Sequence, residues 1–182
     1  PALEPARQAV DLVLAGHEPY PALAIDRHWT LVAANGAVQR LLAGTDPAML
    51  APPVNVLRLS LHPDGLAPRI ANLGGWRSHL LARLRHQIDV SADPVLIDLL
   101  NELTTYPKPA ATLGTRSAPA GDIGGVVVPF RLITDAGILS FISTTTVFGT
   151  PIDITLSELA LESFFPADAA TAETLRRMAG VA

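Results

Sequence analysis

The chain has 182 residues, 49% of them hydrophobic and 16% charged, with a formal net charge of −4. That is enough apolar material to bury the core of one domain with an appended element, and the acid excess argues against a chain built to grip phosphate backbones. The lack of cysteine excludes disulfides, thiolate metal sites and thiol nucleophiles.

No apolar run approaches the roughly 18 residues of a membrane span, and no basic segment followed by an apolar one opens the chain. We therefore expect a soluble, cytoplasmic protein with no membrane partner. Proline at position 1 leads us to expect a further segment upstream.

In chain order, "EPARQAVDLVLAG" places Val10, Val13, Leu14 and His17 on one face of a short amphipathic helix that stops near Gly16. "ALAID" and "TLVAAN" read as two strands around the tight connection Asp26-Arg27-His28-Trp29. Asn35 is placed to cap a helix carrying Val38, Leu41 and Leu42. After the Pro-rich stretch "AGTDPAMLAPP", a helix in "NVLRLSLH" groups Val56, Leu57 and Leu61 before the turn His62-Pro63-Asp64-Gly65. The next helix carries a stripe of Trp76, Leu80, Leu84 and Ile88, with Arg77, Arg83, Arg85, His86 and Gln87 projecting elsewhere, several of them as a solvated face. Leu96, Leu99, Leu100 and Leu103 form the buried side of a further helix over 94–104, and a loop rich in Pro, Ala, Gly and Thr occupies 106–122.

The last third is β-branched and aromatic. "GVVVPFRLITDAGILSFISTTTVFG" predicts a hairpin turning at Asp135-Ala136-Gly137. "SELALESFFP" fits a strand or a helix, because Thr155 to Glu158 resembles a capping box. The strand is favoured, since Glu158 and Glu162 alternate with Leu159, Leu161 and Phe165. "ADAATAETLRRMAG" closes the chain as a short helix ending at Gly180. The expected order is helix, two strands, a helical block, three strands, helix.

"ALAIDRHWTLVAANGAVQRLLAG" resembles the opening of a PAS domain. With "NVLRLSLHPDGLAPRIANLGGWRSHLLARLRHQ", "ADPVLIDLLNEL" and "SFISTTTVFGTP", the arrangement is similar to the MmyB-like ligand-binding domain that follows the DNA-binding part of XRE-type helix-turn-helix transcriptional regulators. Asn55-Val56-Leu57-Arg58, the pair Trp76-Arg77 and the "LARLR" helix carry the likeness, from about Pro21 to Pro166. It implies an α+β, PAS-like antiparallel sheet of about five strands covered by a helical block. It also implies an apolar, fatty-acid-like effector and contact with DNA only through a helix-turn-helix domain absent from this chain; a homodimer is expected as well. The expected layout is a linker helix over 1–18, the ligand-binding domain over 19–166 and a C-terminal helix over 167–182.

If Glu158 and Glu162 face solvent, then Leu159, Leu161, Ser163 and Phe165 face inward. Placing apolar groups inward likewise puts Leu139, Phe141, Ser143, Thr145 and Val147 on the inner face of their strand, and Val126, Val128, Phe130 and Leu132 on theirs, with Arg131 outside or at an edge. A buried hydroxyl without a partner costs about 1 to 3 kcal/mol. Ser143, Thr145 and Ser163 therefore either bond locally or line a ligand pocket. Arg58 and Arg69 are candidate anchors for a carboxylate, because an arginine fork binds one bidentately; the plainer alternative is a surface or helix-capping role. Asn55 begins a helix and is placed to cap it, His62 either caps or donates to a ligand, and Trp76 with Leu80 belongs to a core stripe that a ligand could meet.

No enzyme signature is present. The five histidines are scattered, and His79 and His86 stand about 10 Å apart along a helix, too far for one ion. Gly-x-Ser-x-Gly, the P-loop and Gly-x-Gly-x-x-Gly are absent. We expect no metal, no cofactor and no catalysis. The competing expectation is a dimerisation module with a core filled by side chains, in which the first helix joins two copies.

Overall fold

The computed structural model describes residues 3–108, 127–147 and 159–181. Val126, Glu158, the segment Thr155 to Glu158 and most of the 106–122 loop fall outside the described residues.

Five strands form one curled antiparallel sheet. They are β1 (Ala22–Ile25), β2 (Leu31–Ala34), β3 (Phe130–Thr134), β4 (Gly137–Val147) and β5 (Ala160–Pro166), in the spatial order β2-β1-β5-β4-β3. The connection between β1 and β2 is fixed by Asp26, whose Oδ1 accepts from the backbone N–H of His28 and of Thr30 at 2.8 Å each. The β3–β4 hairpin turns at Asp135-Ala136, with Thr134 facing Gly137 across the ladder. The fold is α+β and PAS-like.

A helical block covers one face of the sheet. It contains α2 (Gly36–Leu42), α3 (Val56–Leu61), α4 (Leu73–Ser91) and α5 (Pro94–Thr105). Asparagine and aspartate set the starts of three of these helices. Asn35 accepts from the N–H of Val38, Asn55 from those of Leu57 and Arg58, and Asp93 from that of Val95. The main core joins Leu57, Leu61, Leu84, Leu96 and Leu103 of the block to Leu132, Leu139 and Phe141 of the sheet.

The opposite face is covered too. From α1 (Leu3–Gly16), Val10 and Leu14 pack on Ala22, Ala24 and Leu161. Val13 is 45% exposed and stands outside the expected stripe. At the far end, α6 (Ala169–Met178) is capped by Asp168, which accepts from the N–H of Thr171 at 2.7 Å, and Thr171 Oγ1 accepts from the N–H of Ser140, past the end of β5.

Two expectations about facing are corrected. In β5 the phase is reversed: Leu161 meets α1 while Phe165 is exposed, and Glu162 and Phe164 point to the helical block. Ser163 pairs with Ala22 and shares the phase of Leu161, away from the block. The alternation rule assumes one wet face, and here both faces are covered. The solvated face assigned to α4 is also narrower than expected. Arg77 is buried and donates from Nη2 to the carbonyl of Leu103 at 2.8 Å, and Arg83 reaches across to β5.

Candidate functional site

Between the sheet and the helical block lies a cavity of about 110 Å³. Its wall draws on every sheet strand and on α2, α3 and α4, and almost all of it is aliphatic or aromatic. Trp76 and Phe130 pack with ring centroids 5.0 Å apart, and Phe164 lies 5.9 Å from Phe130 and 6.3 Å from Phe141. The indole of Trp76 donates to Ser60 Oγ at 3.0 Å, so the one polar edge of that ring is satisfied inside α3. An apolar void of this size forfeits about 2 to 3 kcal/mol of packing.

The two charged residues in the cavity wall are Arg83 and Glu162. Glu162 is only 4% exposed. Its Oε1 accepts from Arg83 Nη2 at 2.6 Å and from the Thr145 hydroxyl at 2.7 Å. Thr145 in turn accepts from Arg83 Nη2 at 2.9 Å. On its other side the Arg83 guanidinium lies 4.8 Å from the centroid of the Trp29 ring. Trp29 holds a left-handed backbone, φ 65°, which costs a bulky residue about 1 to 3 kcal/mol. Its indole N–H donates to Gln87 Oε1 at 2.8 Å, and Gln87 Nε2 donates to the carbonyl of Arg27 at 2.7 Å. Trp29, Arg83 and Glu162 also line an open cleft of about 350 Å³ at the outer end of β1 and β5. The ion pair and the indole thus stand between the apolar cavity and the more polar cleft.

Four of the residues singled out from the sequence meet at the cavity: Trp76, Leu80, Phe130 and Phe141. Thr145 stands in the polar cluster at its edge, and Ser143 shares its phase on β4, half-buried opposite Phe164. The other candidates stand elsewhere. Asn55 caps α3 and donates from Nδ2 to the carbonyl of His28 at 2.9 Å, tying the block to the β1–β2 turn. Arg58 points away from the cavity and grips Glu102, with Nε at 2.8 and 2.9 Å and Nη2 at 2.6 Å. That contact holds the Glu102 carboxyl below its usual range, and burial together with Glu102 pushes the Tyr106 hydroxyl up to about 12. His62 ends α3, accepts on Nδ1 from the N–H of Asp64 at 3.1 Å, and packs edge-on against Tyr106. Arg69 donates to the carbonyls of Ala43 at 3.3 Å and Ile133 at 3.4 Å. Ser163 lies on the far face of the sheet.

Sequence reasoning passed over Arg83, Glu162, Trp29 and Phe164. For Arg83 a signal existed: it follows Trp76 and Leu80 at i+7 and i+3, on the same side of α4.

The residues 6–178 match the family model described as the MmyB-like transcription regulator ligand binding domain. The chain belongs to this family. No curated protein matched it. In this MmyB-like ligand-binding domain, then, the cavity lies where the PAS-like sheet and its helical cover meet. The family is one of regulatory ligand-binding domains, not of enzymes. Among the described residues no cluster of three or more His, Asp or Glu could hold a metal ion, and no helix is long and apolar enough to cross a membrane.

Proposed function

We propose that this domain senses an apolar, fatty-acid-like small molecule whose hydrocarbon part fills the cavity between the sheet and the helical block. A separate helix-turn-helix domain of the same regulator contacts DNA. The observation that carries this reading is the almost wholly apolar cavity bounded at one end by the Arg83–Glu162 pair. A hydrocarbon placed there recovers the packing that the void forfeits, and binding to the folded state alone adds about 2.7 kcal/mol of stability at a hundredfold excess over Kd. The same domain also holds two copies together, a reading favoured by Leu12 and Val13 on the outer side of α1, which are 74% and 45% exposed.

Native mass spectrometry of the freshly purified chain, with organic extraction and a thermal-shift panel of alkyl compounds, tests both statements. The expected result is a dimer carrying a discrete amphiphile, or an unliganded protein whose Tm rises with alkyl compounds. A bare mass with no shift across the panel overturns the sensor reading, and a monomer at all concentrations overturns the dimer.

A further inference from the structure

Resting on the reading of the cavity as an effector site, we infer that Asn35 and Glu18 couple the cavity to α1, so that filling it holds the end of α1 in place. The cavity wall includes Val38, Leu41 and Leu42 of α2. This helix has seven residues, and its side toward the void lacks packing partners. Its start is tied to α1 by polar bonds. Asn35 is 7% exposed and uses its whole amide. Oδ1 accepts from the N–H of Val38 at 3.3 Å and of Ala22 at 3.1 Å, and Nδ2 donates to the carbonyls of Leu14 at 3.2 Å and Tyr20 at 2.8 Å. One side chain therefore caps α2 and holds the last turn of α1, and neither helix shifts without straining the hold on the other.

Glu18, just past the end of α1, repeats the link. Its Oε1 accepts from the N–H of Ala37 at 3.0 Å and its Oε2 from Arg40 Nη2 at 2.8 Å. A third tie runs through β5: His17 Nε2 donates at 3.2 Å to the carbonyl of Phe164, a residue of the cavity wall. The grip of α1 itself on the sheet is slight. Among the described residues, Val10 and Leu14 are its buried side chains, and they rest on Ala22, Ala24 and Leu161. An element with so few apolar contacts opens locally at low cost, so a small gain at its junction changes how often it opens. Docked and opened α1 are the two states that the cavity biases.

The test is hydrogen exchange read by mass spectrometry on the intact chain, with and without saturating octanol, in wild type and in Asn35→Asp. The aspartate keeps an acceptor for Ala22 and Val38 and removes the donors to Leu14 and Tyr20. In wild type, octanol slows exchange of the α1 amides at least about fivefold. In Asn35→Asp the slowing falls below about twofold. Octanol affinity meanwhile stays within about threefold of wild type, because docked α1 is already the major state. A purely structural role for Asn35 would speed α1 exchange equally with and without octanol and keep the full slowing, which overturns the inference. Octanol that binds wild type without slowing α1 also overturns it and leaves the apolar site standing. If octanol does not bind wild type, the effector site itself fails and the inference with it. Should Asn35→Asp not fold, Glu18→Leu decides, on a side chain 33% exposed. It should lose at least about half of the slowing, and full retention overturns the inference.

Discussion

Two of the arginine–glutamate pairs among the described residues have nearly equal geometry in very different surroundings. Arg58 Nη2 and Glu102 Oε2 lie 2.6 Å apart on the outside of the helical block, with side chains 46% and 36% exposed. Arg83 Nη2 and Glu162 Oε1 are also 2.6 Å apart, but their exposures are 27% and 6%, and they close one end of the cavity. The outer pair gains little, because water screens it and both long side chains must be ordered. The inner pair lost hydration that attraction alone does not restore, so it stands only because Thr145 and Trp29 complete it. The difference teaches that distance says little about an ion pair's role, and that the expensive one marks the site.

Breaking the inner pair gives the largest effect. Arg83→Met leaves the Glu162 carboxylate buried with Thr145 as its remaining short hydrogen bond, and should destabilise the fold by about 3 kcal/mol. Urea unfolding reads this as a lower midpoint at unchanged m-value. The double substitution Arg83→Met with Glu162→Leu should recover most of the loss, because no unpaired buried charge remains. A double variant as weak as the single one would show that the arginine acts through its packing instead.

Breaking the outer pair gives a small effect. Arg58→Met should cost about 0.5 kcal/mol, and even that should vanish in 1 M salt, where screening acts within about 3 Å. The hydrogen bond from Arg58 holds the Glu102 carboxyl below its unperturbed 4.5. Its contribution is therefore fully present above that value and is lost as the pH falls through the lower folded one. Unfolding midpoints measured against pH should show wild type and Arg58→Met converging in acid.

The same contrast explains what the sequence made legible. Local chemistry was readable: the Asn35 and Asn55 caps, the Asp26 and Asp135 turns, and the stripe of Trp76, Leu80 and Leu84 all depend on residues within a turn or two of one another. The family resemblance rested on such stretches, and the fold followed. The polar end of the cavity was not readable in the same way. Arg83 and Glu162 are separated by 79 positions, and β5 has apolar residues in both phases, Leu161 and Phe165 in one and Phe164 in the other. Assigning Glu162 to solvent was the cheaper choice for a charge without a visible partner. The anchors picked instead, Arg58 and Arg69, lie in the right segment but turn outward to Glu102 and to the carbonyls of Ala43 and Ile133.

The account's central claim is that the space beneath Trp76 and Leu80 is where an apolar effector sits. Calorimetric titration of octanol into wild type and into Leu80→Phe, whose larger ring grows into that space, tests it directly. The account predicts binding to wild type with a negative heat-capacity change, and at least about tenfold weaker binding to a Leu80→Phe protein that remains folded. Equal affinity for the two proteins would place the alkyl chain somewhere else and contradict it.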